Sequence, residues 1–272
     1  MSVAAIPVAV GRVEGTIVSR SDDLLAVEEP LEIRLGQESL SVTMRTPGDD
    51  FELAAGFLFS EGIIGSASQI RSMGRLADGS PDVVVLELDG RLGMPLPARR
   101  NFTMTSACGV CGKASLRELE MNACPALPHD EIQISPDILH RMPDRLRGSQ
   151  KIFDGTGGLH AAALFNLQGH LESLREDIGR HNAVDKLIGA ALLNQRTPLS
   201  SSLLLVSGRA SFELVQKALV AGIPFLASVG APSSLAVATA ERAGMTLVGF
   251  LRNGRFNVYT EDRRILKPEH YR

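Results

Sequence analysis

Cysteine is scarce in this chain, with three in 272 residues. So small and odd a set cannot build a disulfide framework, and it fits a reducing compartment. An uninterrupted apolar run of about 18 residues, the signature of a membrane-spanning helix, is missing too. The opening MSVAAIPVAVGRVEG has a short apolar run with no basic residue ahead of it, which makes a poor signal peptide. Nor is there an excess of one charge: a net −3 gives no global basic field for nucleic acid or an anionic membrane. Internal repeats and low-complexity segments are absent. The expectation is a cytoplasmic protein with neither nucleic acid nor membrane as partner.

What is present is an ordinary globular balance, 44% hydrophobic and 22% charged, ample for a sizeable core. The first hundred residues read mostly as strands. Leu31–Thr46 alternates on either side of Gly36-Gln37, as a hairpin does, and 82–89 is a further strand. Between them Pro47-Gly48-Asp49 starts a helix with Phe51, Ala54, Ala55 and Leu58 at helical spacing. Residues 90–100 read as a loop. A second region begins near Ser135 with two strand-like runs around 166–169. The chain then alternates: SSLLLVSG strand, SFELVQKALVAG helix, PFLASVG strand, PSSLAVATAERAG helix, MTLVGFL strand, and the turn RNGR into FNVYT. Strands separated by helices of about a dozen residues imply a parallel or mixed sheet covered by helices. The predicted organisation is α/β throughout, with a β-rich, α+β part at 1–134 and an α/β unit at 135–272. Residues after Thr260 read as a loosely held tail.

Two of the cysteines stand in TSACGVCGKASL, spaced Cys-x-x-Cys. NFTMTS before them favours strand and KASLRELE after them favours helix, so Cys108 and Cys111 fall near a strand-to-helix junction. Free N–H groups at a helix start stabilise a thiolate, and Lys113 adds a cation. Gly109 and Gly112 leave a sulfur approachable. This favours a reactive thiol, yet the residues leave other chemistry open. Cys108, Cys111, Cys124 and His129 read C-x2-C-x12-C-x4-H, a passable zinc spacing. Cys124 in NACPALP is as readily a small buried hydrophobe. A thioredoxin-like redox pair lacks its preceding βαβ pattern.

A second cluster, REDIGRHNAVDK (175–186), packs seven ionisable side chains into twelve residues before an amphipathic helix. Asp177 or Asn182 would cap that helix, and His181 is placed for acid–base work. His160, in an apolar strand, either faces the same space or is a satisfied core histidine. The turns Ser207–Ser211 and Ser228–Ser234 lie between strand and helix, where α/β sheets bind ligands and helix starts bind phosphate. Arg252 and Arg255 flank a tight turn. From Glu241 onward seven basic residues face four acidic ones, so this face suits an anion.

TPGDDFELAAGFLFSEGII, TSACGVCGKASL, REDIGRHNAVDKLIGAAL and the stretch from LLLVSGRASFELVQKAL to FNVYT closely resemble, in order, the formate dehydrogenase accessory sulfurtransferase family, over about Gly11 to Thr260. The resemblance implies a sulfurtransferase acting as a sulfur carrier. A cysteine takes sulfur from a cysteine desulfurase as a persulfide and delivers it to the molybdenum bis(guanine dinucleotide) cofactor before that cofactor enters formate dehydrogenase. It further implies a homodimer whose C-terminal part is a three-layer α/β/α domain similar to cytidine deaminases, and no permanent metal. Carried over, Cys108 is the persulfide cysteine and Cys111 its helper. The turn Phe250, Leu251, Arg252, Asn253, Gly254 and Arg255 holds the guanine nucleotide of the cofactor. The turns read above are expected to join it in binding the cofactor, through Ser207, Gly208, Arg209, Ser228 and Gly230, together with His181.

Deaminase chemistry itself does not follow. Zinc deaminases need H-x-E followed by P-C-x-x-C. Here His181 is followed by Asn182-Ala183, Ala107 precedes Cys108, and the cysteine pair comes before that histidine. His129-Asp130-Glu131 spells H-x-E but also follows the cysteines. The alternative of another class is a zinc-stabilised, cofactor-binding chaperone without sulfur chemistry.

Overall fold

The computed structural model describes residues 3–76, 79–89, 102–103 and 125–267. Cys108, Cys111 and Cys124, the expected loop at 90–100 and the expected helix at 113–120 lie outside the described residues.

The chain opens with a long hairpin, β1 (Ala5–Glu14) and β2 (Ile17–Ala26), that forms a two-stranded sheet by itself. Next come β3 (Glu29–Leu35) and β4 (Glu38–Arg45), joined through Gly36-Gln37 as the alternation predicts. Gly36 takes φ 56°, which a glycine accepts without strain. Helix α1 (Asp50–Ser60) follows, then β5 (Ile70–Gly74), β6 (Val83–Leu88) and β7 (Phe102–Thr103). These strands make a mixed five-stranded sheet in the order β5-β6-β3-β4-β7, with β7 parallel to β4.

Two helices that strand-centred reading passes over come next: α2 (Pro136–Ser149) and α3 (Lys151–Thr156). Their start signal is local. Ser135 accepts the Asp137 N–H, and Pro136 stands at the first helical position, where no N–H is needed. The buried residues of α2 are Leu139, Met142 and Leu146, with Ile138 packed beside them.

The remaining elements are β8 (His160–Asn166), β9 (Leu171–Asp177), α4 (Arg180–Leu193), β10 (Ser202–Val206), α5 (Phe212–Val220), β11 (Phe225–Ser228), α6 (Ser234–Ala243), β12 (Thr246–Arg252) and β13 (Arg255–Thr260). Their six strands form one mixed sheet in the order β13-β12-β11-β10-β8-β9, parallel only among β10, β11 and β12. Side chains alternate across it. Leu203, Leu205 and Phe165 join α2 on one face; Leu204, Val206 and Leu164 join α4, α5 and α6 on the other. This is the expected three-layer α/β/α arrangement with a mixed sheet.

Helix α4 is not amphipathic, contrary to its sequence reading: every residue from His181 to Leu192 is buried. One side packs on the six-stranded sheet and the other on α1, and the same core continues into the five-stranded sheet through Leu31, Ile33, Leu53 and Leu58. The helices meet at Gly56 and Gly189. A Cβ on Gly56 would collide with the Asp185 carbonyl, and one on Gly189 with the Glu52 carbonyl. Small residues of this kind let helix backbones approach closely.

Residues 261–267 are not loosely held. Arg264 is fully buried, its guanidinium on the Asp130 carboxylate (2.6 Å), the Gly244 carbonyl (2.8 Å) and Thr246 Oγ1 (3.0 Å), and Ile265 pairs with Ile134. Burial opposes ionisation of Asp130, but Arg264 and Arg263 outweigh it and hold the carboxyl below its ordinary value.

Candidate functional site

At the carboxyl ends of β10, β11 and β12 the chain must turn, and the three turns lock together through main-chain bonds. Gly230 N donates to the Gly208 carbonyl (3.0 Å), Phe250 N to the Gly230 carbonyl (2.9 Å), and Ser233 N to the Ala210 carbonyl (3.0 Å). Gly230 sits in a tight place: a Cβ there would stand 3.0 Å from the Gly208 oxygen and 3.1 Å from Arg209 Cα, so the turns would have to part slightly to admit one. Because β8 runs antiparallel to β10, its first residue, His160, arrives at the same edge. Ser207 holds it there: its Oγ accepts the Ala161 N–H (2.9 Å), and its own N–H donates to the Ala161 carbonyl (2.9 Å).

The β12–β13 turn is irregular. Register slips between Gly249 and Arg252, and Phe250 takes φ 54°, a left-handed conformation that strains a bulky residue by about 1–3 kcal/mol. Bulges of this kind re-aim side chains at strand ends. Arg252 lies over the Phe250 ring, 5.9 Å from its centroid, and Asn253 and Gly254 complete the turn with φ 53° and 66°.

Between this edge and the helices α2 and α3 lies a cleft of about 620 Å³. Ser207, His160, Val229, Arg252 and Asn253 line one side, and Arg147, Gln150 and Phe153 the other. Arg147 stacks on Phe153 at 4.6 Å and pairs with Asp154 at 3.0 Å, both partners exposed. His160 is half-buried, and burial together with the nearby Arg180 holds its imidazole below its ordinary value, which favours the neutral form at pH 7. With two arginines against one lining carboxylate, Asp144, the cleft is net positive, and its imidazole can hydrogen-bond a ring.

Of the expected residues, Ser207, Arg252 and Asn253 line the cleft, Gly208, Gly230 and Phe250 join the turns by main-chain bonds beside Arg209, and the structure adds Arg147 and Phe153. Neither of these could be found without first recognising α2 and α3; the signal was Ser135-Pro136 followed by Leu139, Met142 and Leu146 at helical spacing. Ser228 and Leu251 do not face the cleft. Both are fully buried, and the Ser228 hydroxyl donates to the Gly230 carbonyl (2.9 Å), so each supports the turn from behind. His181 is also buried, with Nε2 3.4 Å from Ser211 Oγ and 3.7 Å from Glu213 Oε2, at the junction with α5. Burial works against Glu213, but the bond to His181 and other donors draws its carboxyl down to about 2.

The charged run before α4 is structural. Gly179, not Asp177 or Asn182, is the cap residue, and it has no side chain to cap the first helical N–H groups. Asp177 instead pairs with Lys186 (2.8 Å), accepts the Thr46 and Gly179 N–H groups, and holds Asn182, whose Nδ2 also donates to the Met44 carbonyl (2.7 Å). These bonds fix the end of β4 against α4. Beside β4 runs β7, from which the chain continues to Cys108 five residues after Thr103. Farther along α4, Asp185 pairs with Lys217 (2.9 Å) and accepts from Ser60 Oγ (2.6 Å). Burial opposes the charge on Lys217, yet Asp185 and Glu61 hold it above its ordinary value. Among the described residues no helix is long and apolar enough to cross a membrane.

Comparison with known proteins agrees with this architecture. A model of the FdhD/NarQ family matches residues 26–266. The chain is 52% identical over 262 residues to the sulfur carrier protein FdhD of Streptomyces avermitilis, covering 93% of each. It is 54% identical over 258 residues to that of Mycolicibacterium paratuberculosis (92% and 94% covered), and 43% identical over 258 residues to that of Sulfolobus acidocaldarius (95% and 97%). Among solved structures it is similar to a formate dehydrogenase accessory protein from Desulfotalea psychrophila, with TM-score 0.77, 28% identity, and 97% of this chain and 100% of that one covered.

Proposed function

The chain belongs to the FdhD/NarQ family, and on that premise we propose that it is a sulfur carrier serving formate dehydrogenase. The Cys108 thiolate attacks the sulfane sulfur of a cysteine desulfurase persulfide. The donor's S–S bond breaks, its thiolate leaves, and Cys108 becomes the persulfide. The acceptor is the molybdenum bis(guanine dinucleotide) cofactor, bound as a client with its guanine nucleotide in the cleft. Its phosphates meet Arg252 and the turns at Gly208 and Gly230, and its base lies toward His160. Cys111 then attacks Cys108 Sγ and expels the terminal sulfur as sulfide toward molybdenum. The Cys108–Cys111 disulfide left behind is reduced by a cellular dithiol. The carrier acts in the cytoplasm as a homodimer.

The observation that carries the reading is the convergence of three turns, Arg252 and His160 on one cleft, sized and charged for a nucleotide polyanion. Its companion is the anchoring of β4, beside the strand that leads to Cys108. The test is intact mass after incubation of the reduced protein with cysteine and a desulfurase. The wild type gains one sulfur atom and Cys108→Ala gains none. Loading retained in Cys108→Ala removes that cysteine from the role. No loading in the wild type, with zinc released on denaturation, favours the chaperone reading instead.

A further inference from the structure

The hairpin β1–β2 is out of proportion to its support. Each strand has ten residues, and among the described residues the two form a sheet of their own whose base packs on the protein where Leu24 and Ala26 meet Gly155 and Gly158. A two-stranded ribbon is marginally stable in water; three or more strands are needed for independent stability. This one also exposes large apolar side chains on both strands, Ile6 (45%) and Val13 (64%) on β1 and Ile17 (71%), Val18 (73%), Leu24 (41%) and Leu25 (47%) on β2.

The two outer edges differ. Pro7 on β1 has no N–H, so it interrupts any ladder on that edge. It also sets the alternation. Pro7 faces Leu24, and that pair cannot be hydrogen-bonded, so the even residues of β2 point their N–H and C=O outward. Leu24 N–H agrees, bonding the Asp23 carboxylate (2.9 Å) rather than a strand. The β2 edge thus offers Val18, Arg20, Asp22 and Leu24 as ladder positions with no proline among them.

Read from Ile17 to Leu25, β2 is IVSRSDDLL, and it is complementary to itself about Ser21. In antiparallel pairing around a two-fold axis at Ser21, Arg20 faces Asp22 of the second copy and Asp22 faces its Arg20. Val18 then faces Leu24, Ile17 faces Leu25, and Ser21 faces Ser21. Arg20 and Asp22 fall on outward, ladder-forming positions, as this pairing requires. We infer that the β2 edge is the dimer contact, two copies of this chain joining their hairpins into one four-stranded sheet. The inference deepens the homodimer reading above by giving it a surface and a register. An isologous two-fold contact of this kind needs only one patch, used twice.

The test measures the mass of the full chain by sedimentation equilibrium. Arg20→Asp or Asp22→Arg alone places like charges opposite each other twice, and raises the dimer dissociation constant about tenfold or more. The double variant R20D/D22R restores it. So does mixing the two single variants, which pair with each other. Ser21→Cys gives a disulfide-linked dimer under mild oxidation, because directly opposed residues lie within disulfide reach. A dimer unmoved by both charge changes and not linked through Ser21→Cys overturns this surface but keeps the homodimer. A wild-type chain that stays monomeric overturns both. Sulfur loading by mass, read on the same samples, reports the carrier function separately.

Discussion

Lys186 and Asp177 form a fully buried ion pair, Nζ to Oδ2 2.8 Å, that clamps two distant segments together. The same ammonium donates to the Thr46 carbonyl (2.8 Å), while Asp177 accepts the Thr46 N–H (3.2 Å). The end of β4 is thereby bonded on both its donor and acceptor sides to residues more than 130 positions away. Burial pushes the Asp177 carboxyl above its ordinary value, against the pull of Lys186, so the pair depends on the lysine staying in place.

Replacing that lysine with an apolar residue of similar length leaves a buried carboxylate and two carbonyls without their cation. Lys186→Met should therefore cost about 3–5 kcal/mol, the range for breaking a buried pair from one side. Urea denaturation of the variant against the wild type measures it. A loss below 1 kcal/mol would mean that water replaces the ammonium.

Acid should weaken the fold through Glu213 and Asp130. Both carboxyls are held below their ordinary values in the folded state, so their contributions are complete above the unfolded pKa and vanish as pH falls through the folded one. For Glu213 the window runs from 4.5 down to about 2. The full shift is worth about 3 kcal/mol, reduced by solvent screening to about 1–2 kcal/mol. Glu213→Gln should flatten the stability profile across that window; an unchanged slope in thermal melts from pH 5 to 2.5 would rule out the His181–Glu213 contact as its source.

Arg252→Ala should weaken guanosine diphosphate binding about tenfold or more, the loss expected for one charged hydrogen bond to a phosphate. Sulfur loading of Cys108 should be untouched, because Arg252 belongs to the acceptor's cleft. Titration calorimetry with the nucleotide and intact mass after loading separate the two effects. Unchanged affinity would remove the β12–β13 turn from the site.

The alternation from β10 to β13 was legible because central strands are buried on both faces and so appear as unbroken apolar runs, SLLLV and FLAS, bounded by glycine and serine. The three turns followed from the same pattern, since strand ends in such a sheet must lie side by side. Helix α2 was hidden because its buried face is only three residues wide and Pro143 interrupts it. With it went Arg147 and the far wall of the cleft. The charges around α4 read as caps and acid–base candidates because sequence gives no hint that α1 covers that side or that Thr46, Ser60 and Lys217 come to meet them. Arg264 made a tail look loose for the same reason, its carboxylate lying 134 residues earlier at Asp130. Periodicity reports what one element buries, but not which distant charge it is waiting for.

The contact of Gly56 with Gly189 bears on how such a sequence can drift. At most core positions a larger side chain can be accommodated by a smaller one opposite, so lineages exchange volume in compensating pairs. Here the obstacle to a Cβ is main chain, the Asp185 carbonyl for one glycine and the Glu52 carbonyl for the other. No substitution elsewhere removes a carbonyl, and neither glycine can change first. The pair is an evolutionary dead end in both directions. A chain that keeps every turn of the cleft but fills either position must have set α1 and α4 at a different spacing, and with them the whole offset between its two sheets.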